Sequence, residues 1–104
     1  MTTPITVAYG DGIGPEITQS VVDVFKASEV PVTWDRVECG IHTFKETGVL
    51  IPDELDVSLN ATRLALKGPT TTPVGSGHRS INVTIRQEHG LFANIRPVKS
   101  LPGV

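Results

Sequence analysis

Lys67-Gly-Pro-Thr-Thr-Thr-Pro-Val-Gly-Ser-Gly-His-Arg-Ser80-Ile-Asn-Val-Thr-Ile-Arg86-Gln-Glu-His-Gly90-Leu-Phe-Ala-Asn-Ile-Arg96-Pro-Val98 carries most of the informative residues of the chain. An apolar strand, Leu64 to Leu66 within Arg63 to Lys67, runs into a loop of Gly, Pro, Thr and Ser that cannot be regular structure. A helix then restarts at Ser80. A loop feeding a helix start suits an anion, because backbone N–H groups and the positive end of the helix dipole point the same way. With Ser80 as N-cap, its hydroxyl sits at the helix mouth, and Asn82 and Arg86, four residues apart, share one face. Arg79 and His89 fall on that side, whereas Ile81 and Ile85 mark the opposite, buried face. The pattern predicts a strand from Leu91 to Ile95, stopped by Pro97, which leaves the Arg96 guanidinium at a sheet edge. Two guanidiniums, an amide and a hydroxyl together suit carboxylates, since each Arg fork can hold one carboxylate through two parallel hydrogen bonds.

Charge points the same way. The net charge of −2 divides unevenly: residues 1–56 hold three Lys or Arg against ten Asp or Glu, and residues 57–104 hold six against one. The basic half contains the loop and the helix. Its cations are scattered singly among apolar residues without interleaved aromatics, which fits a small anionic ligand and not nucleic acid. At 104 residues, 38% hydrophobic and 19% charged, the chain is one globular unit at most. No apolar run approaches the roughly 20 residues that cross a bilayer, so no membrane partner is expected. The start, Met-Thr-Thr-Pro-Ile-Thr-Val, shows no basic or long apolar leader. The single Cys39 permits no internal disulfide and suits a reducing compartment.

Upstream, Ile5 to Tyr9 reads as a first strand. The turn Gly10-Asp11-Gly12-Ile13-Gly14-Pro15-Glu16 leads into a helix, with Pro15 suited to its first turn. A dinucleotide GxGxxG fingerprint would need glycine at position 15, where Pro15 stands, so that site is rejected. Close packing explains these glycines better than ligand approach. Ile17, Val21, Val24 and Phe25 recur at helical spacing, predicting an amphipathic helix to Ala27 lying over a sheet. Val32 to Val37 is a second strand, with Trp34 in the core. Gly40 to Thr47, ended by Gly48, and Pro52 to Thr62 are two short helices. His42 lacks partners at metal-ligand spacing and reads as a surface or packing residue. His78, Arg79 and His89 are expected to face solvent. Lys67, ahead of a Gly-Pro bend, either lines a cofactor cleft or supports the loop. The order of elements describes an α/β fold: an incomplete open sheet with flanking helices. Leu101-Pro102-Gly103-Val104 would leave a bare sheet edge, so residues 1–104 are expected to form the first part of something longer.

Gly10-Asp11-Gly12-Ile13-Gly14-Pro15-Glu16, Lys67-Gly68-Pro69 with Thr71-Thr72-Pro73 and Gly75, the Ser80-x-Asn82-Val83 to Arg86 helix, and Asn94-x-Arg96-Pro97 resemble, in order, the motifs of the β-decarboxylating dehydrogenases, the isocitrate/isopropylmalate dehydrogenase family. The resemblance runs the length of the chain. It implies the N-terminal part of the large domain of a non-Rossmann, isopropylmalate dehydrogenase-like fold, and oxidative decarboxylation of isocitrate to 2-oxoglutarate. It implies that Ser80, Asn82, Arg86 and Arg96 bind the substrate's carboxylates, and that Thr71, with Thr72 close by, lies against the nicotinamide of NAD or NADP. Ser-x-Asn favours isocitrate over isopropylmalate, whose relatives usually place Glu and Leu in this helix. It further implies a homodimer that uses Mg or Mn, located in the cytoplasm or, in a eukaryote, in the mitochondrial matrix. The family's proton-transfer Tyr and Lys, metal-binding Asp residues and adenine loop have no match here, so no catalytic residue and no metal ligand is assigned. The alternatives are a non-catalytic remnant or structural subunit, or a relative acting on isopropylmalate, homoisocitrate or tartrate.

Overall fold

The computed structural model describes residues 1–75 and 77–104. Three strands, β1 (Thr3–Ala8), β2 (Val32–Val37) and β3 (Ala65–Lys67), form a parallel sheet in the order β2-β1-β3. Parallel neighbours need crossover connections. Helix α1 (Gly14–Ala27) makes the first, and helices α2 (Ile41–Thr47) and α3 (Asp53–Thr62) precede β3. Helix α4 (Ile81–Glu88) follows the loop after β3. The α/β open sheet with flanking helices is therefore the fold.

Register determines what each sheet face carries. Thr6 and Ala8 of β1 pair with Ala65 and Lys67 of β3 and with Asp35 and Val37 of β2, so these six share a face. That face carries the core, in which Ala8, Val37, Cys39 and Leu55 pack with Ile51, Leu59 and Ile85. A partly buried hydroxyl chain ties the same face to α3. Thr6 Oγ1 lies 2.6 Å from Ser58 Oγ and 2.7 Å from Thr62 Oγ1, and Ser58 donates to Asp35 Oδ2 at 2.5 Å. Each hydroxyl both donates and accepts, so the two buried members, Thr6 and Ser58, carry no unmet hydrogen bond, while Thr62 and Asp35 lie nearer the surface.

The opposite face meets α1. Phe25 contacts Trp34 edge-on, with ring centroids 5.2 Å apart, and the Tyr9 hydroxyl donates to Gln19 Oε1 at 2.8 Å. The helix begins at Gly14, with Pro15 in its first turn. Its apolar stripe is covered only in part. Thr18 is buried and Phe25 half-buried, whereas Ile17, Val21 and Val24 are exposed, because three strands are too narrow to cover the whole stripe. Trp34 is accordingly half-buried and not enclosed in the core.

Two expectations need further correction. No strand forms over Leu91 to Ile95; residues 91–100 have no regular structure, and all of 91–104 is exposed. A strand needs a neighbour for its N–H and C=O groups, and no strand of the described residues pairs with this segment. Arg96 therefore sits on an irregular segment and not at a strand end. Strand β3 is also shorter than Arg63 to Lys67, since Arg63 is the left-handed cap of α3, at φ 59°.

Candidate functional site

The loop from Gly68 to Arg79 is held at its start by the turn after β1. Gly68 N–H donates to Ala8 O and Asp11 N–H to Pro69 O, both at 2.8 Å. Gly10, at φ +79°, approaches so closely that a Cβ there would collide with the Pro69 carbonyl oxygen. Close packing thus accounts for this glycine.

Asp11 is the centre of that junction. It is 7% exposed, and its carboxylate accepts N–H bonds from Thr71 (2.7 Å), Ile41 (2.9 Å) and His42 (3.2 Å). One side chain so joins the β1–α1 turn, the start of α2 and the loop bearing Thr71 and Thr72. Burial by itself would push its carboxyl up; the three backbone donors outweigh that and hold it below the usual carboxylate value. Gly40, at φ +115°, makes room, since a Cβ there would run into the Asp11 carboxylate. The sequence showed Asp11 only as part of a turn. The signal was a carboxylate between glycines, a residue type that takes up loose N–H groups.

Ser80 is the N-cap of α4 with extended backbone, but its side chain makes no cap hydrogen bond. The capping expected of its hydroxyl is therefore not formed, and Ser80 is exposed. Ile81 is 1% exposed and Ile85 packs on the core, so the opposite face of α4 is the buried one, as its pattern predicts.

Asn82, Arg86 and Arg96 line one hollow of about 390 Å³. Its floor is apolar, built by Ala8, Leu55, Leu59 and Ile85, and Lys67, Asn94 and Thr6 complete its polar groups. Ser80 is not in its wall. Three cations line this hollow and no carboxylate does. Lys67 joins the arginines because the β3 register puts it opposite Ala8 on the core face. Its ammonium donates to Gly68 O at 2.7 Å and lies 3.4 Å from Thr70 Oγ1, so it also supports the loop. Burial pulls Lys67 below the usual lysine value, partly opposed by Cys39 and Asp11. Burial likewise pushes the Cys39 thiol up, which keeps it a small protonated core residue.

The two guanidiniums have few protein partners. Arg86 Nη2 donates to Ala93 O at 3.1 Å, and Arg96 Nε donates to Asn94 Oδ1 at 3.4 Å. A guanidinium has five N–H donors, so most of these remain for solvent or a ligand. Thr71 and Thr72 lie outside this hollow, on the loop that Asp11 holds. Among the described residues, no three His, Cys, Asp or Glu side chains come together where a metal could bind.

Other readings resolve individually. His42 meets Glu46 at 3.3 Å on the surface, as expected. His78 is exposed but touches the Phe44 ring edge-on, with centroids 5.1 Å apart. Arg79 is exposed and donates to Gln87 at 2.7 Å. His89 departs from expectation: it is part-buried and bonded to Asp56 on α3 at 3.0 Å. No helix among the described residues is long and apolar enough to cross a membrane.

Known proteins similar to the chain share its fold. The chain is 48% identical to the NAD isocitrate dehydrogenase subunit 2 of Schizosaccharomyces pombe, over 95% of this chain and 26% of that protein. It is 46% identical to the chloroplastic 3-isopropylmalate dehydrogenase of Solanum tuberosum, over 94% of this chain and 28% of that one. Among solved structures, isocitrate dehydrogenase from Methylococcus capsulatus superposes with a TM-score of 0.82 at 44% identity, over 88% of this chain and 27% of that chain. The chain thus spans about a quarter of the length of the relatives it matches. Residues 4–104 match the isocitrate/isopropylmalate dehydrogenase family as a whole, and the chain belongs to that family.

Proposed function

We propose that residues 1–104 are the substrate-recognition segment of an isocitrate dehydrogenase, forming the N-terminal part of its large domain. The observation that carries this reading is the hollow lined by Lys67, Arg86 and Arg96 without a single carboxylate. A di- or tricarboxylic acid supplies the negative charge that such a wall lacks. Arg86 and Arg96 each grip a carboxylate through the guanidinium fork, and Asn82 adds an amide that can meet a hydroxyl or a carboxylate oxygen. Ser80, the N-cap residue one position ahead of α4, does not line the hollow; in this reading its exposed hydroxyl would reach the substrate from outside that wall. The role of these groups is to bind and orient, which lowers the barrier by positioning and not by bond-making.

The loop of Thr71 and Thr72 borders the nicotinamide in this reading, and Asp11 fixes the loop's backbone. NAD is favoured over NADP because the isocitrate relatives are named for it. The nicotinamide would accept a hydride from the substrate's 2-hydroxyl carbon. Among the described residues no cluster of His, Cys, Asp or Glu fits a divalent metal, and in this reading the Mg or Mn of the activity would be held by residues of the longer subunit. The enzyme would be a homodimer. The isocitrate relatives' names, which say mitochondrial, favour a mitochondrial location over the cytoplasm.

A second reading is a 3-isopropylmalate dehydrogenase, favoured by the 46% identity to the Solanum enzyme and by the apolar floor of Leu55, Leu59 and Ile85. A third is a remnant without activity, an alternative that the motifs leave open. Reading the coding sequence past codon 104 separates it from the others: an in-frame continuation of the relatives' length supports an enzyme, and a stop supports a remnant. In a subunit of that length, Arg86→Ala should raise the KM for isocitrate at least tenfold, since an Arg–carboxylate bond contributes about 1.5 to 3 kcal/mol. An unchanged KM removes Arg86 from the site. Preference for isopropylmalate in the same assay selects the second reading.

A further inference from the structure

The His89–Asp56 pair takes no part in the reading above, yet it sits at the structural root of both arginines. His89 is the C-terminal cap residue of α4, and its Nε2 lies 3.0 Å from Asp56 Oδ1 on α3. The carboxylate can only accept, so Nε2 carries the proton in this bond. The side chains are 18% and 39% exposed, so the contact is sheltered on the histidine side. Among the described residues it is the one side-chain hydrogen bond or ion pair from α4 to another helix. The remaining anchors of α4 are apolar, Ile81 at its start and Ile85 in its middle.

The chain reverses immediately after this bond. Gly90, at φ +63°, and the Arg86 O to Leu91 N–H bond of 2.9 Å close the turn. The segment that follows carries Asn94 and Arg96 back along the hollow, and Arg86 reaches across to its Ala93 carbonyl. Arg86 lies three residues before His89 and Arg96 seven after, so the pair stands between the two arginines at the point where helix becomes return segment. Apolar contacts resist separation but tolerate sliding and rotation. A directed bond at the helix end fixes the angle.

We propose that His89 and Asp56 are positioning residues that fix the end of α4 on α3, so that the guanidiniums of Arg86 and Arg96 meet at one anion-binding hollow. The inference rests on the reading of that hollow as the substrate's. Its test uses the full 104-residue chain, with isocitrate affinity measured by calorimetry and the Arg86 and Arg96 Nε–H signals followed by NMR. His89→Ala and Asp56→Asn should each weaken isocitrate binding about five- to tenfold, and the double variant should be no worse than His89→Ala alone. His89→Gln, whose amide N–H reaches the place of Nε2, should stay within about twofold of the parent. A contact that only stabilises the fold would lower stability in urea and leave isocitrate affinity unmoved, and additive losses would mean that the two side chains act independently. Binding by His89→Ala equal to the parent's overturns the proposal. Should His89→Ala unfold, Asp56→Asn, which keeps the size of the acceptor, decides the same question. If the parent chain itself fails to bind isocitrate, the reading of the hollow falls. The pair is then judged on the two Nε–H signals, which should shift or broaden in His89→Ala and overturn the positioning role if they do not.

Discussion

The junction around Asp11 and the hollow around Arg86 both gather charged and polar groups, but they close in opposite ways. Asp11 is buried and accepts three backbone N–H bonds from two other segments. Arg86 and Arg96 use few of their donors within the chain, and those bonds are exposed. A buried charge that is fully bonded holds structure together, because water could not replace those partners. A cation wall with open donors and no counter-charge costs the fold little, and it attracts an anion. The junction is therefore expected to govern stability and the hollow affinity, and substitutions at each should move one property and spare the other.

The largest effect is expected at Asp11. Asp11→Ala strands three N–H groups and should destabilise the chain by about 3 kcal/mol or more in urea denaturation. A loss below about 1 kcal/mol would put the junction on the same footing as the hollow. The pH dependence sharpens the point. The carboxyl of Asp11 is lower in the folded than in the unfolded state, so its contribution is fully present above the ordinary Asp value of about 3.9. It is lost as pH falls through the lower folded value. The stability gap between the parent and Asp11→Asn should accordingly be constant near neutrality and narrow on acidification below about pH 4. A gap that widens on acidification contradicts the assignment.

Arg86→Ala comes next and should reverse the pattern. Isocitrate affinity should fall at least tenfold, while stability changes by less than about 1 kcal/mol, because its one side-chain bond among the described residues is exposed. The smallest effect is expected at Lys67, which shares features of both regions. Lys67→Met removes a cation from the hollow and also the cost of burying it, so affinity should fall about two- to fivefold with stability unchanged or slightly raised. A large loss of stability in Lys67→Met would make its bonds to Gly68 and Thr70 its main role.

Much of the fold was legible because its signals are local. Helices α2 and α3 follow from the turn-forming Gly40 and Gly48 and from Pro52-Asp53-Glu54, and α4 from the Ile81 and Ile85 spacing. The failures are those in which a distant partner decides. Leu91 to Ile95 has strand-like residues but no neighbouring strand among the described residues. Exposure of Ile17, Val21 and Val24 depends on how wide the sheet is, which helical periodicity does not report. Asn82 and Arg86 on one face could be read from spacing, but the place of Lys67 beside them needed the β3 register. Asp11 and His89 both needed knowledge of what lies across from them, since neither motif nor spacing names Ile41, Thr71 or Asp56 as partners.

The most direct test is titration of the 104-residue chain with isocitrate while amide hydrogen exchange is followed across residues 41–96. The anion hollow should bind the acid saturably, with protection rising at 80–96 and unchanged at the Asp11-held positions 41, 42 and 71. Saturable binding absent, or protection arising away from Arg86 and Arg96, would contradict it.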